Sequence, residues 1–292
     1  HIEPQQDLLR IRQRVDGILV VTHSLPKELA RRLISRIKVL AHLDISERRL
    51  PQDGRIKHAA MSELADVRVS TLPTLWGEKA VLRLLDHAPT ELGLDALGMN
   101  RTQQEQFTRA LDLPQGLILV TGPTGSGKTL TLYSGLRHLN NEQSNIITVE
   151  DPVEIRLRGA NQIAVNTKLG LGFAQILRAL MRQDPDVIMV GEIRDFETAT
   201  AAIRAAQTGH LVLSTLHTGS TGSTLARLHQ MGIKPYDLTS TITLVIAQRL
   251  ARRLCDQCKQ PDPPHAVYRA NLTGCSECFQ GYRGRVGIFE LL

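Results

Sequence analysis

The chain has 292 residues, enough to bury a sizeable core and to form two domains of roughly 100 to 200 residues each. Its formal charge of +6 arises from 35 basic residues spread among 29 acidic ones, without a polybasic tail, and aromatics at 3% leave little for a base-stacking platform, so nucleic acid is not an expected partner. No apolar run approaches the roughly 20 residues that cross a bilayer and no signal-peptide pattern opens the chain, which therefore reads as soluble and cytoplasmic.

In chain order, LRIRQRVDGILVV alternates Leu9, Ile11 and Val15 with polar residues and turns at Asp16-Gly17, the signature of two strands joined in a hairpin. Between Pro26 and Asp44 the residues Leu29, Leu33, Ile37 and Leu40 fall at helical spacing, with Lys27, Arg31, Arg32 and Arg36 on the other face, which reads as a solvated helix surface. ADVRVSTLP and KAVLRLLD predict two further strands around a turn at Gly77, making the first part a small α+β domain. HAPTELGLDALGM, with its proline, glycines and mixed polarity, predicts a linker. The expected boundaries are a first domain over 1–92, a linker over 93–100 and a second domain over 101–292.

In the second part the apolar strands GLILV, NIITV, DVIMV and HLVLST alternate with helical stretches at 129–139, 174–182 and 197–207. Strands apolar on both faces, separated by helices, predict an α/β fold with a parallel sheet covered on both sides. There is no internal repeat or low-complexity tract. The chain starts at His1 and stops after GIFELL, and it reads as a piece of a longer protein truncated at both ends.

Gly122-Pro123-Thr124-Gly125-Ser126-Gly127-Lys128-Thr129 follows the strand GLILV and precedes a helical stretch, the context that a phosphate-binding loop requires. Its backbone N–H groups and the helix N-terminus suit the phosphates of ATP. Lys128 is placed to reach the β- and γ-phosphates and the Thr129 hydroxyl to coordinate magnesium.

Ligands of open α/β sheets sit beyond the carboxyl ends of the strands, where this chain offers Glu150, Glu192 and His217. Hydrolysis needs one carboxylate to address the attacking water and another acceptor to hold hydrated magnesium. Glu150 is assigned the water and Glu192 the magnesium hydration shell, with a helix cap or a surface group as the alternative for each. DVIMVGEIRD has Gly191 where many phosphate-loop ATPases carry a magnesium-binding aspartate, so the work is divided among neighbouring strand ends. His210 and His217 bracket one strand, about 23 Å apart at about 3.3 Å per residue. His217, at the carboxyl end, is the candidate γ-phosphate sensor, and His210 a structural or inter-subunit residue.

All four cysteines fall in two C-x-x-C pairs, Cys255/Cys258 and Cys275/Cys278, at a spacing that fits a structural zinc site, with disulfides as the alternative. Four thiolates leave no open position for catalysis.

With these motifs in hand, the chain resembles the ATPase family of type II secretion and type IV pilus assembly, over essentially its whole length. LRIRQRVDGIL, RIKVLAHLDISERRLPQDGRI, DVRVSTLP and LGLDALGM resemble the family's second N-terminal domain and linker. GPTGSGKT, ITVEDPVE, DPDVIMVGEIRD and TGHLVLSTLHT resemble its Walker A, Asp box, Walker B and His box, in the family's order, and QRLARRLC, the cysteine pairs and GYRGRVGIFELL its tetracysteine segment.

The resemblance implies a bacterial hexameric motor with a PAS-like N-terminal domain, a RecA-like ATPase domain and a zinc segment over 255–278. ATP sits between the two domains, and their rotation moves an inner-membrane platform protein, so membrane contact comes only through partners. It further implies that Glu192 belongs to Walker B and Glu150 to the Asp box as the proposed catalytic acid, and that Arg55, Arg68 and Arg83 complete the site. From the residues alone those arginines read as strand-surface groups. The chain departs from the family's pattern at Thr218-Gly219-Ser220, where Asn-Asp is frequent, and in a shorter loop between the cysteine pairs. The alternatives are a pilus retraction motor, whose family members generally lack the four cysteines, a nucleic-acid-dependent RecA-like ATPase, and a nucleotide-binding scaffold without turnover.

Overall fold

The computed structural model describes residues 1–56, 67–84, 93–262 and 267–292. Residues 65 and 66 of ADVRVSTLP, 85 and 86 of KAVLRLLD and 87–92 of HAPTELGLDALGM lie outside these. The chain divides into two compact units, His1–Pro89 and Thr90–Leu292.

The first unit contains β1 (Ile2–Pro4), β2 (Leu8–Val15), β3 (Ile18–Pro26), α1 (Leu29–Leu40), β4 (Gln52–Ile56), β5 (Val67–Thr74) and β6 (Gly77–Leu84). Its six strands form a sheet in the order β3-β2-β1-β6-β5-β4, with every neighbouring pair antiparallel. The expected hairpin joins β2 to β3, with Val15 opposite Ile18, and the turn residues Asp16 and Gly17 both take positive φ (46° and 88°), the geometry whose twist matches the strands. One face of the sheet meets α1 through Leu9, Val69 and Ala80 against Ile34 and Ile37.

The buried stripe of α1 differs from the expected one. Leu29 and Leu40 are exposed, while Ile34, Ile37 and Lys38 are buried. Lys38 runs its stem through the core, donates from Nζ to the Glu47 carbonyl (2.7 Å) and pairs with the Glu78 carboxylate. A cation at 1% exposure is tolerated because both partners are supplied by the fold. Removing one partner of such a pair strands the other charge, so Lys38→Ala is expected to cost about 3–5 kcal/mol in chemical denaturation. The double variant Lys38→Met/Glu78→Leu is expected to recover most of that loss.

The second unit holds α2 (Arg101–Leu111), β7 (Gly116–Thr121), α3 (Lys128–Leu139), β8 (Ile146–Glu150), β9 (Asn161–Ala164), α4 (Phe173–Leu180), β10 (Val187–Val190), α5 (Phe196–Gln207), β11 (Leu211–Leu216), α6 (Thr221–Gln230), α7 (Pro235–Thr241), β12 (Ile242–Leu254), β13 (Gln260–Asp262), β14 (Val267–Arg269) and β15 (Tyr282–Leu291). Residues 94–97, within the expected linker, form a 3-10 turn whose Leu94 and Leu97 are buried among the apolar side chains of this unit. The proline and glycine pattern marked an irregular segment, and two leucines at i and i+3 give it a face to bury.

Seven strands form the central sheet in the order β15-β12-β7-β11-β10-β8-β9, parallel throughout except where β15 runs against β12. The period of two along each strand sends alternate side chains into two cores. Leu117, Leu119, Ile188 and Val190 join α4 and α5 on one side. Ile118, Val120, Val187 and Met189 join α2 and α3 on the other. Two buried faces are why these strands read as continuous apolar runs. They also place the carboxyl ends of β7, β8, β10 and β11 side by side.

Candidate ATP site and tetracysteine cluster

The loop from Gly122 to Gly127 leaves β7 and delivers Lys128 as the first residue of α3. Its shape is set from beneath by β12. A Cβ on Gly122 would stand 2.3 Å from the Gln248 carbonyl oxygen, so close approach requires that glycine, while Gly127 is required by its φ of 89°. Gln248 also accepts from the Thr131 hydroxyl (2.7 Å), tying the strand to the first turn of α3. The Ser126 hydroxyl is buried without a partner, and Pro123, Thr124 and Gly125 are exposed at the loop's tip. Converging loop backbone, a helix N-terminus and an orphaned hydroxyl fit a bound polyphosphate. Lys128, 8% exposed, donates to the carbonyls of Gly122 (2.8 Å) and Pro123 (3.1 Å). Burial lowers its proton affinity, and the nearby charge of Glu192 works in the opposite direction. Thr129 follows it at the helix start, half-buried.

The segment GEIRD after β10 is fastened between two strand ends. Gly191 donates to the Val149 carbonyl (2.8 Å), Ile193 donates to the Thr215 carbonyl (2.9 Å), and the Thr215 hydroxyl donates to the Gly191 carbonyl (2.7 Å). A Cβ at Gly191 would lie 3.3 Å from the Val149 carbonyl oxygen and 3.5 Å from Glu150 Cα, so the close approach of β8 accounts for the glycine. Asp195 ends the segment by capping α5, its carboxylate accepting from the Thr198 amide at 2.7 Å.

So held, Glu192 stands 3.3 Å from Nε2 of His217, which follows β11, and accepts from Arg194 Nη2 at 2.5 Å. Desolvation works to raise its pKa, but the Arg194 guanidinium and then His217 outweigh it, and the carboxyl ends below its ordinary value. Glu192 is therefore an anion at neutral pH, within electrostatic reach of Lys128. Lys128, Glu192 and His217 form one cluster at the strand ends, with Arg194 as a member that sequence reasoning missed. Its place two residues after Glu192 is the signal in the sequence that could have found it.

Glu150 is not brought to that cluster. At 4% exposure its carboxylate faces the α3 side, accepting from the Tyr133 hydroxyl (2.7 and 2.8 Å), the Thr148 hydroxyl (2.7 Å) and Gln162 Nε2 (3.2 Å). Three neutral donors satisfy it there. His210 lies at the far end of β11, with its Nδ1 2.9 Å from the Ala205 carbonyl oxygen. Thr218, where the sequence departs from Asn-Asp, joins its hydroxyl to those of Thr121 (2.5 Å) and Thr224 (2.6 Å) beside the start of the phosphate loop.

In the first unit, Arg55 stands opposite Arg68, and Arg68 opposite Arg83, on neighbouring strands. The three form a row on the face turned away from the Val69–Ala80 core. Like charges directly opposed across strands are unfavourable.

The four cysteines close the tip of the β12–β15 pair. Sγ separations are 3.8 Å for Cys255–Cys275, 3.5 Å for Cys258–Cys278 and 3.6 Å for Cys275–Cys278. A disulfide needs about 2.05 Å. Thiolates about 2.3 Å from a tetrahedral metal are about 3.8 Å apart, which the cluster matches. Crowding separates the proton affinities. Cys258 is pushed up to about 12, by desolvation first and then by its sulfur neighbours. Cys278, against desolvation, is drawn down to about 7 by the Cys275 amide and the other thiols. The four sulfurs can hold a metal ion such as zinc.

A family described as "Type II/IV secretion system protein" matches residues 1–292. The chain belongs to this family. It is 54% identical over 310 residues to the type IV pilus assembly ATPase PilB of Acinetobacter baylyi, covering 100% of this chain and 54% of that protein. It is 49% identical over 308 residues to the type II secretion system ATPase E of Vibrio cholerae, covering 100% and 61% respectively. The chain thus spans between about half and two thirds of these relatives. Among solved structures, the pilus retraction motor PilT with bound ADP superposes with a TM-score of 0.63 at 29% identity, over 98% of this chain and 76% of that one. The ATPase DotB of Yersinia pseudotuberculosis gives 0.71 at 22% identity, covering 100% and 74%, a likeness of fold. No helix among the described residues is long and apolar enough to cross a membrane.

Proposed function

We propose that this chain is the motor portion of a pilus-assembly or secretion ATPase: a PAS-like domain over 1–92, a linker over 93–100 and a RecA-like P-loop ATPase domain over 101–292, acting as a hexamer on an inner-membrane platform protein from the cytoplasmic side. The observation that carries it is the placement of an ionised Glu192, backed by His217, within electrostatic reach of Lys128 at the mouth of the phosphate loop. The identities to PilB and to the type II secretion ATPase support assembly or secretion.

ATP supplies the phosphoanhydride bond whose cleavage powers the motor. Lys128 and the backbone N–H groups of the loop, Pro123 excepted, neutralise phosphate charge, and the Thr129 hydroxyl would hold magnesium. Glu192 would help hold magnesium, with Arg194 and His217 fixing the carboxylate's orientation. His217 also senses the γ-phosphate. Arg55, Arg68 and Arg83, whose guanidinium groups suit phosphate, are the arginines that the family resemblance proposes for the site. Glu150, the residue assigned to the attacking water, reaches it only after its carboxylate leaves Tyr133. Zinc on Cys255, Cys258, Cys275 and Cys278 is structural.

Glu192→Gln tests this reading, because it keeps the shape and removes the charge. Turnover at saturating ATP is expected to fall at least about tenfold, a barrier increase of about 1.4 kcal/mol, with nucleotide affinity within threefold. Undiminished turnover would remove Glu192 from the chemistry.

A further inference from the structure

The network around Glu150 takes in four parts of the second unit. Tyr133 comes from α3, Thr148 and Glu150 from β8, and Gln162 from β9, while Gln162 also donates to the Ile155 carbonyl (2.8 Å) and accepts from the Leu157 amide (2.8 Å). The two hydrogens of Gln162 Nε2 go to the Tyr133 hydroxyl and the Ile155 carbonyl, both at 2.8 Å, with Glu150 a longer shared contact at 3.2 Å, so the hydroxyl has a donor behind it and a carboxylate in front. No lysine, arginine or histidine among the described residues pairs with Glu150. The charge is held by neutral donors alone. Burial, and then the charge of Glu150, raises the pKa of Tyr133, which keeps the phenol protonated and donating.

Tyr133 lies five residues after Lys128 on the same helix, about 7.5 Å along its axis. The helix that begins at the phosphate loop thus also carries the hydroxyl that holds Glu150. Loss of that hydroxyl takes a donor from a carboxylate only 4% exposed, which weakens the hold of the pocket on it.

We propose that Tyr133 is a positioning residue for Glu150, holding the carboxylate in a buried pocket behind the phosphate loop, and that turnover requires this hydrogen bond to open. The inference rests on Glu150 being the group that addresses water. It distinguishes a hold on one carboxylate from a strut that only ties α3 to the sheet.

Tyr133→Phe keeps the ring and deletes the hydroxyl. In a crystal structure of the nucleotide-free variant, the Glu150 carboxylate is expected to have left Thr148 and Gln162 and turned toward the loop. The kcat is expected to rise at least threefold, with nucleotide affinity within twofold, and the rise to vanish when Tyr133→Phe is placed in a Glu150→Gln background. Gln162→Leu, which removes a second donor, is expected to shift kcat in the same direction by less. A carboxylate that stays in the pocket, a kcat that does not rise, or a rise that persists without the Glu150 charge overturns the proposal. Glu150→Gln alone tests the underlying reading separately: unchanged kcat removes Glu150 from the chemistry, while the crystal structure still decides whether Tyr133 holds it.

Discussion

Lys128→Ala is expected to weaken ATP and ADP binding at least about 100-fold, or about 2.8 kcal/mol, in calorimetry or fluorescent-nucleotide titration, and to bring turnover to background. The size follows from how the side chain is held. Its ammonium is buried and donates to the loop carbonyls of Gly122 and Pro123, an arrangement that keeps a cation inside the loop. Removing it takes away both the charge that meets the phosphates and the tether that organises the loop around them. The Gln248 contacts lie beneath the loop and are untouched, so the variant should unfold within a few degrees of the parent. Binding within threefold of the parent would remove Lys128 from phosphate recognition.

Loss of the metal is expected to produce the second large effect. Reduced protein should carry about one zinc per chain by elemental analysis, and Cys258→Ser or a strong chelator should release it together with protons from the thiols. Structural zinc in small motifs contributes about 10–16 kcal/mol of apparent binding free energy, so its loss should unfold the lobe between Leu254 and Tyr282. In hydrogen exchange, protection should vanish at the Cys255 amide, which donates to the Gly281 carbonyl at 2.8 Å. The fraying should then progress along the β12–β15 pairing, where the Arg252 guanidinium lies 3.7 Å from the Tyr282 ring centroid. Gln248, which braces the phosphate loop, is on the same strand, so nucleotide affinity should fall by a few-fold. Protein that is fully reduced, never exposed to chelator and free of zinc would refute the site.

The two effects originate in parts of the chain that were legible at different depths. The loop from Gly122 to Thr129 and the paired cysteines are contiguous or tightly spaced, and their chemistry resides in residue types that have few other uses in that pattern. The parallel sheet was equally legible, because strands with two buried faces must be apolar at every position, as Ile118 and Leu119 are on opposite sides of β7. The Asp16-Gly17 hairpin needed only local backbone preference.

Sequence by itself determined the family resemblance, the phosphate loop, the cysteine cluster and the carboxylates that end the strands, since each depends on neighbours in the chain. Tertiary structure alone decided which way those carboxylates face. Glu150 and Glu192 both follow apolar strands, yet Tyr133 and Gln162 draw one inward while Arg194 and His217 hold the other beside the loop. The same holds for Lys38, which the helical period assigns to no special role and which is buried only because Glu78 and the Glu47 carbonyl are brought to it. It holds also for the arginine row, which exists only in the register that sets Arg55, Arg68 and Arg83 opposite one another. A side chain's partners across strands and helices depend on register and packing direction, and neither is encoded in the spacing of residues along the chain.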